Sequence, residues 1–200
     1  MTKAVKEKKP KAGKVIAKLE LPRDVTSILA LDLSLNSSGY AFCNLDTDEV
    51  EMGVIAPPKM SEMARLDYIL NAVKDLADKH DLMNGQLLAV IEGFAFGAKN
   101  QAHQLGMLHG VIRHFLWSAK IDFLLIAPLS NKKWVTGKSM AEKSLILKEI
   151  FKRYGFDTDD DNVADALGLM TLTKAVLGKW DKPLVAFQQE VVSKVLEATA

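Results

Sequence analysis

Four carboxylates spread along the chain have the residue types and surroundings of one metal site. Asp32 lies in the apolar run ILALDLS, and Glu92 ends a second such run, LLAVIE. Asp161 and Asp165 lie in DDDNVADALGLM at an i,i+4 spacing, which places both on one face if the segment is helical. An ionised carboxylate at the end of a buried strand is costly unless a cation, a metal or a hydrogen-bond network compensates for it.

The donor types of these acids favour a hard cation. They come from separate segments, Cys43 is the only cysteine, and the four histidines lack zinc spacing. Oxygen-only ligands are typical of Mg²⁺, with Mn²⁺ as its usual substitute. Two such ions, roughly 4 Å apart, activate a water and stabilise the leaving oxygen in phosphodiester hydrolysis. The alternative interpretation is that Asp161 belongs to a solvated acidic turn and Asp165 to a helix surface.

Composition sets the broad class of protein. The 200 residues suit one domain, 48% of them are hydrophobic, and 26 basic residues nearly balance 25 acidic ones. Seven lysines and one glutamate fall in the first 18 residues. This basic arm, with Lys8, Lys9 and Lys11 as candidate DNA contacts, is either a polyanion-binding device or a solvated tail. No apolar run reaches the length of a membrane span, and we expect a cytoplasmic location in a bacterial or phage-infected cell.

Hydrophobic periodicity predicts an α/β fold with a five-stranded mixed sheet. The predicted strands cover 28–33, 39–45, 49–56, 87–92 and 121–127, and the predicted helices cover 61–80, 102–119, 140–154, 162–177 and 184–198. Pro128 is expected to open a lysine-rich loop, and Met63 is expected on the apolar face of the first helix.

Crossover handedness predicts how these elements meet. Three antiparallel strands come first, and right-handed crossovers then place the fourth strand, in parallel, beside the first. Asp32 and Glu92 then lie at neighbouring strand ends, and the helix over 162–177 brings Asp165 to the same edge. We expect a tail over 1–25, one α/β domain over 26–178 and a helical extension over 179–200.

The order of these segments resembles the ribonuclease H-like nucleases, and most closely the RuvC group of Holliday-junction resolvases. The matching pieces span most of 28–177, in the family's order: LALDLSLNSSGYA, VIEGFAFGAKN, HQLGMLHGVIRHFL, APLSNKKWVTGKSMAEKS and DNVADALGLMTL. The resemblance implies a ribonuclease H-like fold and catalytic metal ligation by Asp32, Glu92 and Asp165. Family members carry a further acid three or four residues before the last one, which here is Asp161, with Asn162 at the other spacing.

The resemblance also implies contacts to DNA. Lys132 and Lys143 would contact phosphates near the scissile bond, and Phe94 or Phe96 would probe bases at the crossover. Lys133 and Lys138 flank the same helix start, where charge and the helix N-terminus attract phosphates. Ordinary surface lysines and inward-folded phenylalanines are the alternatives.

A stripe of small residues on the helix over 102–119 raises the question of assembly. Gly106 and Gly110 continue the i,i+4 spacing begun by Ala102. The resemblance implies a homodimer whose two sites cut two strands, and a core helix within one chain fits the stripe equally well. The apolar contact would come from Met107, Leu108, Val111, Phe115 and Leu116, and the helix histidines, His103, His109 and His114, are expected at the surface or the interface.

Together these observations predict a Mg²⁺-dependent crossover junction endodeoxyribonuclease that cleaves Holliday junctions with two bound ions. One alternative is a broader debranching nuclease that acts on flaps, forks and Y structures. Another is a junction-binding protein with a degenerate site, against which the presence of Asp32, Glu92 and Asp165 argues.

Overall fold

A central sheet organises the computed structural model, which describes residues 24–80, 86–93 and 102–198. Its strands are β1 (Ser27–Asp32), β2 (Ser38–Asn44), β3 (Val50–Ile55), β4 (Leu87–Glu92) and β5 (Asp122–Ile126). They lie in the order β3-β2-β1-β4-β5. β2 runs antiparallel to both β1 and β3, whereas β1, β4 and β5 are parallel. The predicted α/β fold, with three antiparallel strands and then two parallel ones, is confirmed.

Helices cover both faces of this sheet. They are α1 (Glu62–Lys79), α2 (Ala102–Ser118), α3 (Pro128–Thr136), α4 (Lys143–Glu149), α5 (Asp161–Val176) and α6 (Ala186–Ala198), and a π-helical turn over Ile150–Tyr154 prolongs α4. One hydrophobic cluster joins α1 and α2 to one face, and a second joins α3, α4, α5 and α6 to the other. β1 and β4 are therefore buried on both sides, which explains their unbroken apolar runs.

Strand alternation directs two of the predicted acids toward α5. Ile28 and Ala30 of β1 belong to the cluster that includes α5, as do Leu88 and Val90 of β4. Because side chains alternate with a period of two, Asp32 and Glu92 continue the same face at the ends of their strands. β1 and β4 pair directly, in a register that matches Leu31 with Ile91. The two carboxylates consequently meet where the sheet contacts α5.

α5 approaches the sheet so closely that one position there must be glycine. Gly39 pairs with Asp32 across β1 and β2. A Cβ atom at Gly39 would lie only 2.1 Å from the backbone carbonyl oxygen of Asn162. The first turn of α5 therefore rests on β2 beside Asp32, because the glycine has no side chain to hold it away. α5 itself is buried on nearly every side, as a helix without a polar face must be.

The segment after Pro128 is a helix and not the predicted loop. Proline occupies the first turn of α3, where its missing N–H costs nothing and its φ is already helical. Asn131, Trp134 and Val135 are buried at i, i+3 and i+4, so packing against α5 fixes the helix. Gly137, at φ 79°, then ends it.

Smaller predictions about the helices also needed correction. Met63 is 68% exposed and does not belong to the apolar face of α1, where Ala77 is buried instead. The helix predicted over 140–154 begins only at Lys143, and the one predicted over 184–198 begins at Ala186. Within the described ranges no helix is long and apolar enough to cross a membrane.

The close approach at Gly39 yields a test of how α5 is positioned. Gly39→Ala should destabilise the fold by about 1–3 kcal/mol, because the methyl group meets backbone that cannot move aside. Thermal unfolding should show a midpoint lowered by roughly 2–4 °C per kcal/mol. Gly53→Ala is the matched control in β3, since its methyl group meets only the movable end of Tyr40. Equal midpoints for the two variants would contradict the close approach.

Candidate active site

Asp32, Glu92 and Asp165 form a group of acids at the edge where β1 and β4 meet α5. All three residues are half-buried. Burial, followed by the charges of Asp165 and Asp161, raises the pKa of Asp32 to about 7. Burial, followed by the charges of Asp32 and Asp165, raises the pKa of Glu92 to about 8. The acids thus repel one another through a poorly solvated region, and a cation there would relieve the repulsion.

Asp165 has a carboxylate oxygen, Oδ1, that is buried without a hydrogen-bond partner among the described residues. Burial raises the pKa of Asp165 to about 6, with Asp161 adding to the shift and Lys132 and Lys143 opposing it. A buried, unpaired carboxylate oxygen is rare in folded proteins because it loses water and gains nothing.

Asn131 links two of the acids and was missed in the sequence. It is fully buried, and its Nδ2 donates to Glu92 Oε1 at 3.3 Å and to the backbone oxygen of Asp165 at 3.0 Å. A Cβ atom at Gly168 would lie 2.5 Å from Asn131 Oδ1, so this second glycine lets α5 pack against α3. Had Pro128 been interpreted as a helix start, the buried spacing of Asn131 with Trp134 and Val135 would have indicated it.

Three residues at the start of α5 have different roles. Asp160 is the N-cap, and its Oδ1 accepts hydrogen bonds from the backbone N–H groups of Asn162 and Val163. Asp161 forms an ion pair with Lys143. Its charge also reaches Asp32 and Asp165, whose pKa values it raises. Asn162 instead directs its amide to Ser37 Oγ at 3.4 Å. Of the two candidates for a fourth ligand, Asp161 is the one that acts on the other acids.

The four lysines predicted to bind DNA lie in different surroundings. Lys132 and Lys143 line one open groove between α3 and α4, and both lower the pKa of Asp165. Lys133, by contrast, bonds to Glu190 of α6 at 2.5 Å. Lys138 is exposed after the end of α3. The structure therefore brings Lys132 and Lys143 to the acids and ties Lys133 to the last helix.

A divalent cation fits this group of acids by its chemistry. The donors are carboxylate oxygens, as Mg²⁺ and Mn²⁺ prefer, and the buried Oδ1 of Asp165 awaits a positive partner. Among the described residues, no three Asp, Glu, His or Cys side chains already converge as a coordination sphere. A cation held among these carboxylates would offset their mutual repulsion.

Some predicted contacts fall outside the described residues. They are Phe94, Phe96, Lys8, Lys9 and Lys11, together with nearly all of the predicted tail. On α2, a Cβ atom at Gly106 or Gly110 would meet no atom of the described residues within 4 Å, and Met107 is 37% exposed. Phe115 is half-buried under the ammonium group of Lys74.

Two residues expected at a dimer interface, and one histidine expected at the surface or the interface, belong to the core instead. Leu108, Leu116 and His109 are buried in the described chain and cannot contact a second copy. Burial, aided by the charge of Arg113, lowers the pKa of His109 to about 4. More residues of α2 are thus buried against the rest of the chain than the spacing of its small and large residues indicated.

Comparison with known proteins identifies both a family and a fold. The family described as "DUF3882: Lactococcus phage M3 protein" matches residues 25–175. The RuvC structure of Thermus thermophilus matches with a TM-score of 0.60 and 17% identity, over 79% of this chain and 99% of that one. The same protein in complex with Holliday junction substrate matches with a TM-score of 0.60 and 16% identity, over 80% and 99%. No curated protein matches the sequence. The predicted resemblance to RuvC is confirmed in the fold.

The raised pKa values predict a stability that falls with pH in the absence of metal. Between about pH 4 and pH 8, folded Asp32, Glu92 and Asp165 retain protons that the unfolded chain releases. Stability contributed by the protonated forms is therefore lost as pH rises through this window. In EDTA, thermal unfolding of the parent should occur several degrees lower at about pH 8 than at about pH 5. Mg²⁺ at pH 8 should raise the midpoint again.

Glu92→Gln removes one of the repelling charges and keeps the acceptor for Asn131. Its midpoint at pH 8 in EDTA should exceed that of the parent, and Mg²⁺ should change it little. Glu197→Gln, at an exposed position of α6, is the matched control and should behave as the parent does. A parent whose midpoint is insensitive to both pH and Mg²⁺ would contradict the account.

Proposed function

The chain belongs to the phage protein family whose members are described as Lactococcus phage M3 protein, and from that premise and the carboxylate geometry we propose that it is a metal-dependent endonuclease for branched DNA. Its preferred substrate is the four-way junction. The observation that carries the proposal is the set of half-buried acids, Asp32, Glu92 and Asp165, whose pKa values are raised by burial and by neighbouring acids and whose charged forms a cation would favour. Clusters of acids with strongly perturbed pKa values are characteristic of functional sites.

The acids would hold two Mg²⁺ ions, with Asp161 as the fourth ligand and Mn²⁺ as an effective substitute. When bound, the ions supply Lewis acidity for hydrolysis, in which water adds across one phosphodiester bond and leaves a phosphate end and a hydroxyl end. Asn131 orients Glu92 through its amide hydrogen bond. Lys143 forms an ion pair with Asp161, whose charge acts on Asp32 and Asp165.

The lysine groove would position the DNA backbone beside these acids. Lys132 and Lys143 face it together with hydroxyl groups of Ser139 and Ser144. Cationic and hydroxyl donors are the usual contacts to phosphate oxygens. Because such contacts release counterions, DNA binding should weaken steeply with salt. The groove thus supports a role in DNA binding for these two lysines in particular.

A homodimer would give the enzyme two sites for two strands of like polarity. A four-way junction has approximate twofold symmetry, which an isologous dimer can match. The outward surface of α2 supports this assembly, since Gly106 and Gly110 leave it open to close approach and Met107 and Trp117 are exposed on the same helix. Phe115 would contribute at the border of this surface.

Cleavage of a synthetic four-way junction, beside a linear duplex of the same sequence, tests the proposed activity. With Mg²⁺ the parent should introduce paired nicks into the junction and leave the duplex intact, and EDTA should abolish cutting. Glu92→Gln should lose at least a hundredfold in rate, because a metal ligand is replaced by a neutral group. Glu197→Gln should cut as the parent does.

Other outcomes of the same experiment distinguish the rival functions. Flaps, forks and Y structures cut as fast as the junction would make the protein a general debranching nuclease. Tight junction binding without any cutting would identify a binding protein. Cutting by Glu92→Gln at the parental rate would refute the carboxylate site altogether.

Adjacent lysines offer a sharper test of the groove. Lys132→Ala should weaken junction binding and reduce the slope of log affinity against log salt by about 1, as the loss of one phosphate contact does. Lys133→Ala is the matched control, because Lys133 is already paired with Glu190. Binding can be measured by fluorescence anisotropy in EDTA over a range of salt. Equal losses in the two variants would show that the groove has no special role.

A further inference from the structure

A cavity opens at the carboxyl end of β1, at the sheet edge that carries the acids but on the face that α1 and α2 cover. It has a volume of about 180 Å³ and begins at Leu33, the residue after Asp32. Leucines at 33, 35 and 105 supply apolar walls, and the polar groups come from Asn36, Arg65 and Gln104. The cavity therefore joins the turn after β1 to the first turns of α1 and α2.

Hydrogen bonds hold the polar groups of this cavity in place. Arg65 Nη1 donates to Asn36 Oδ1 at 3.0 Å, and Arg65 Nη2 donates to the backbone oxygen of Met60 at 3.4 Å. Gln104 Nε2 donates to Glu62 Oε2 at 2.9 Å. The described residues give no hydrogen bond to the remaining amide atoms, Asn36 Nδ2 and Gln104 Oε1. A ligand would thus meet Asn36 Nδ2 as a donor and Gln104 Oε1 as an acceptor, on amides that hydrogen bonds already hold in place.

The size and lining of the cavity match a single nucleobase. Its volume equals that of about six waters, at roughly 30 Å³ each, and is below the roughly 300 Å³ of ordinary small-molecule pockets. Leucine walls would desolvate a phosphate at high cost, whereas the flat faces of a base are apolar. The edge of a base carries both donors and acceptors, which Arg, Asn and Gln side chains recognise.

We propose that this cavity receives one unpaired base of the DNA strand whose phosphate lies at the acids. Seating that base would fix the strand relative to Asp32, so the rate of cutting would depend on which base it is. The inference rests on the proposed function, because it requires a DNA strand at the carboxylates. It adds a determinant of sequence preference, formed by Asn36, Arg65 and Gln104.

A fluorescent base analogue tests occupancy of the cavity independently of cutting. 2-Aminopurine would be placed at each position near the branch of a four-way junction, and fluorescence would be measured in EDTA. One position should change its fluorescence severalfold with the parent. Leu105→Trp, which fills the cavity, should abolish the change, and Leu125→Trp, at a 41% exposed site outside it, should preserve it. No response at any position would overturn the proposal.

Cutting rates supply the second readout. Junctions that differ only in the base at the responsive position, including an abasic site, should differ at least tenfold in rate with the parent. Leu105→Trp and the smaller change Gln104→Ala should each reduce this range to about twofold. If Leu105→Trp does not fold, Gln104→Ala alone decides.

The two readouts separate this proposal from the proposed function. Metal-dependent cutting that is indifferent to the base would refute the cavity and leave the nuclease intact. A position-specific fluorescence change without cutting of any DNA would support the cavity and refute the nuclease. A base preference retained in full by Gln104→Ala and Leu105→Trp would place its origin elsewhere and overturn the assignment.

Discussion

Repulsion among partly buried carboxylates is the constraint on which the rest of the structure depends. Asp32, Glu92 and Asp165 come from two strands and a helix, and the pKa of each is raised first by burial and then by the charges of neighbouring acids. The fold brings them together despite this cost, which the wide apolar core must offset. A cation would convert the same arrangement from a destabilising one into a stabilising one.

Two glycines make this arrangement possible by letting α5 approach its neighbours. Gly39 admits the first turn of α5 to β2, and Gly168 admits α3 to the middle of α5. The second contact delivers Asn131 to both Glu92 and Asp165. The two glycines thus determine how closely these backbones pack, and the packing sets the positions of the acidic side chains.

The sequence predicted most of the fold, because its signals were strong and local. Unbroken apolar runs identified β1 and β4, and crossover handedness then placed Asp32 beside Glu92. The i,i+4 spacing of Asp161 and Asp165 required only that one helix form. α3 was missed because Pro128 was interpreted as the start of a loop, whereas tertiary packing of Trp134 and Val135 makes that segment helical. Asn131 and the cavity beside Leu33 depend on contacts between distant segments, which no local pattern reveals.

The most direct test of the central claim is to locate a bound ion by anomalous scattering. Crystals of the parent grown with Mn²⁺ should show an anomalous difference peak among Asp32, Glu92 and Asp165, with their carboxylates turned toward it. The same experiment on Asp165→Asn should weaken or remove the peak. A parent crystal saturated with Mn²⁺ that shows no peak there, or shows one only at other surface acids, would contradict the account.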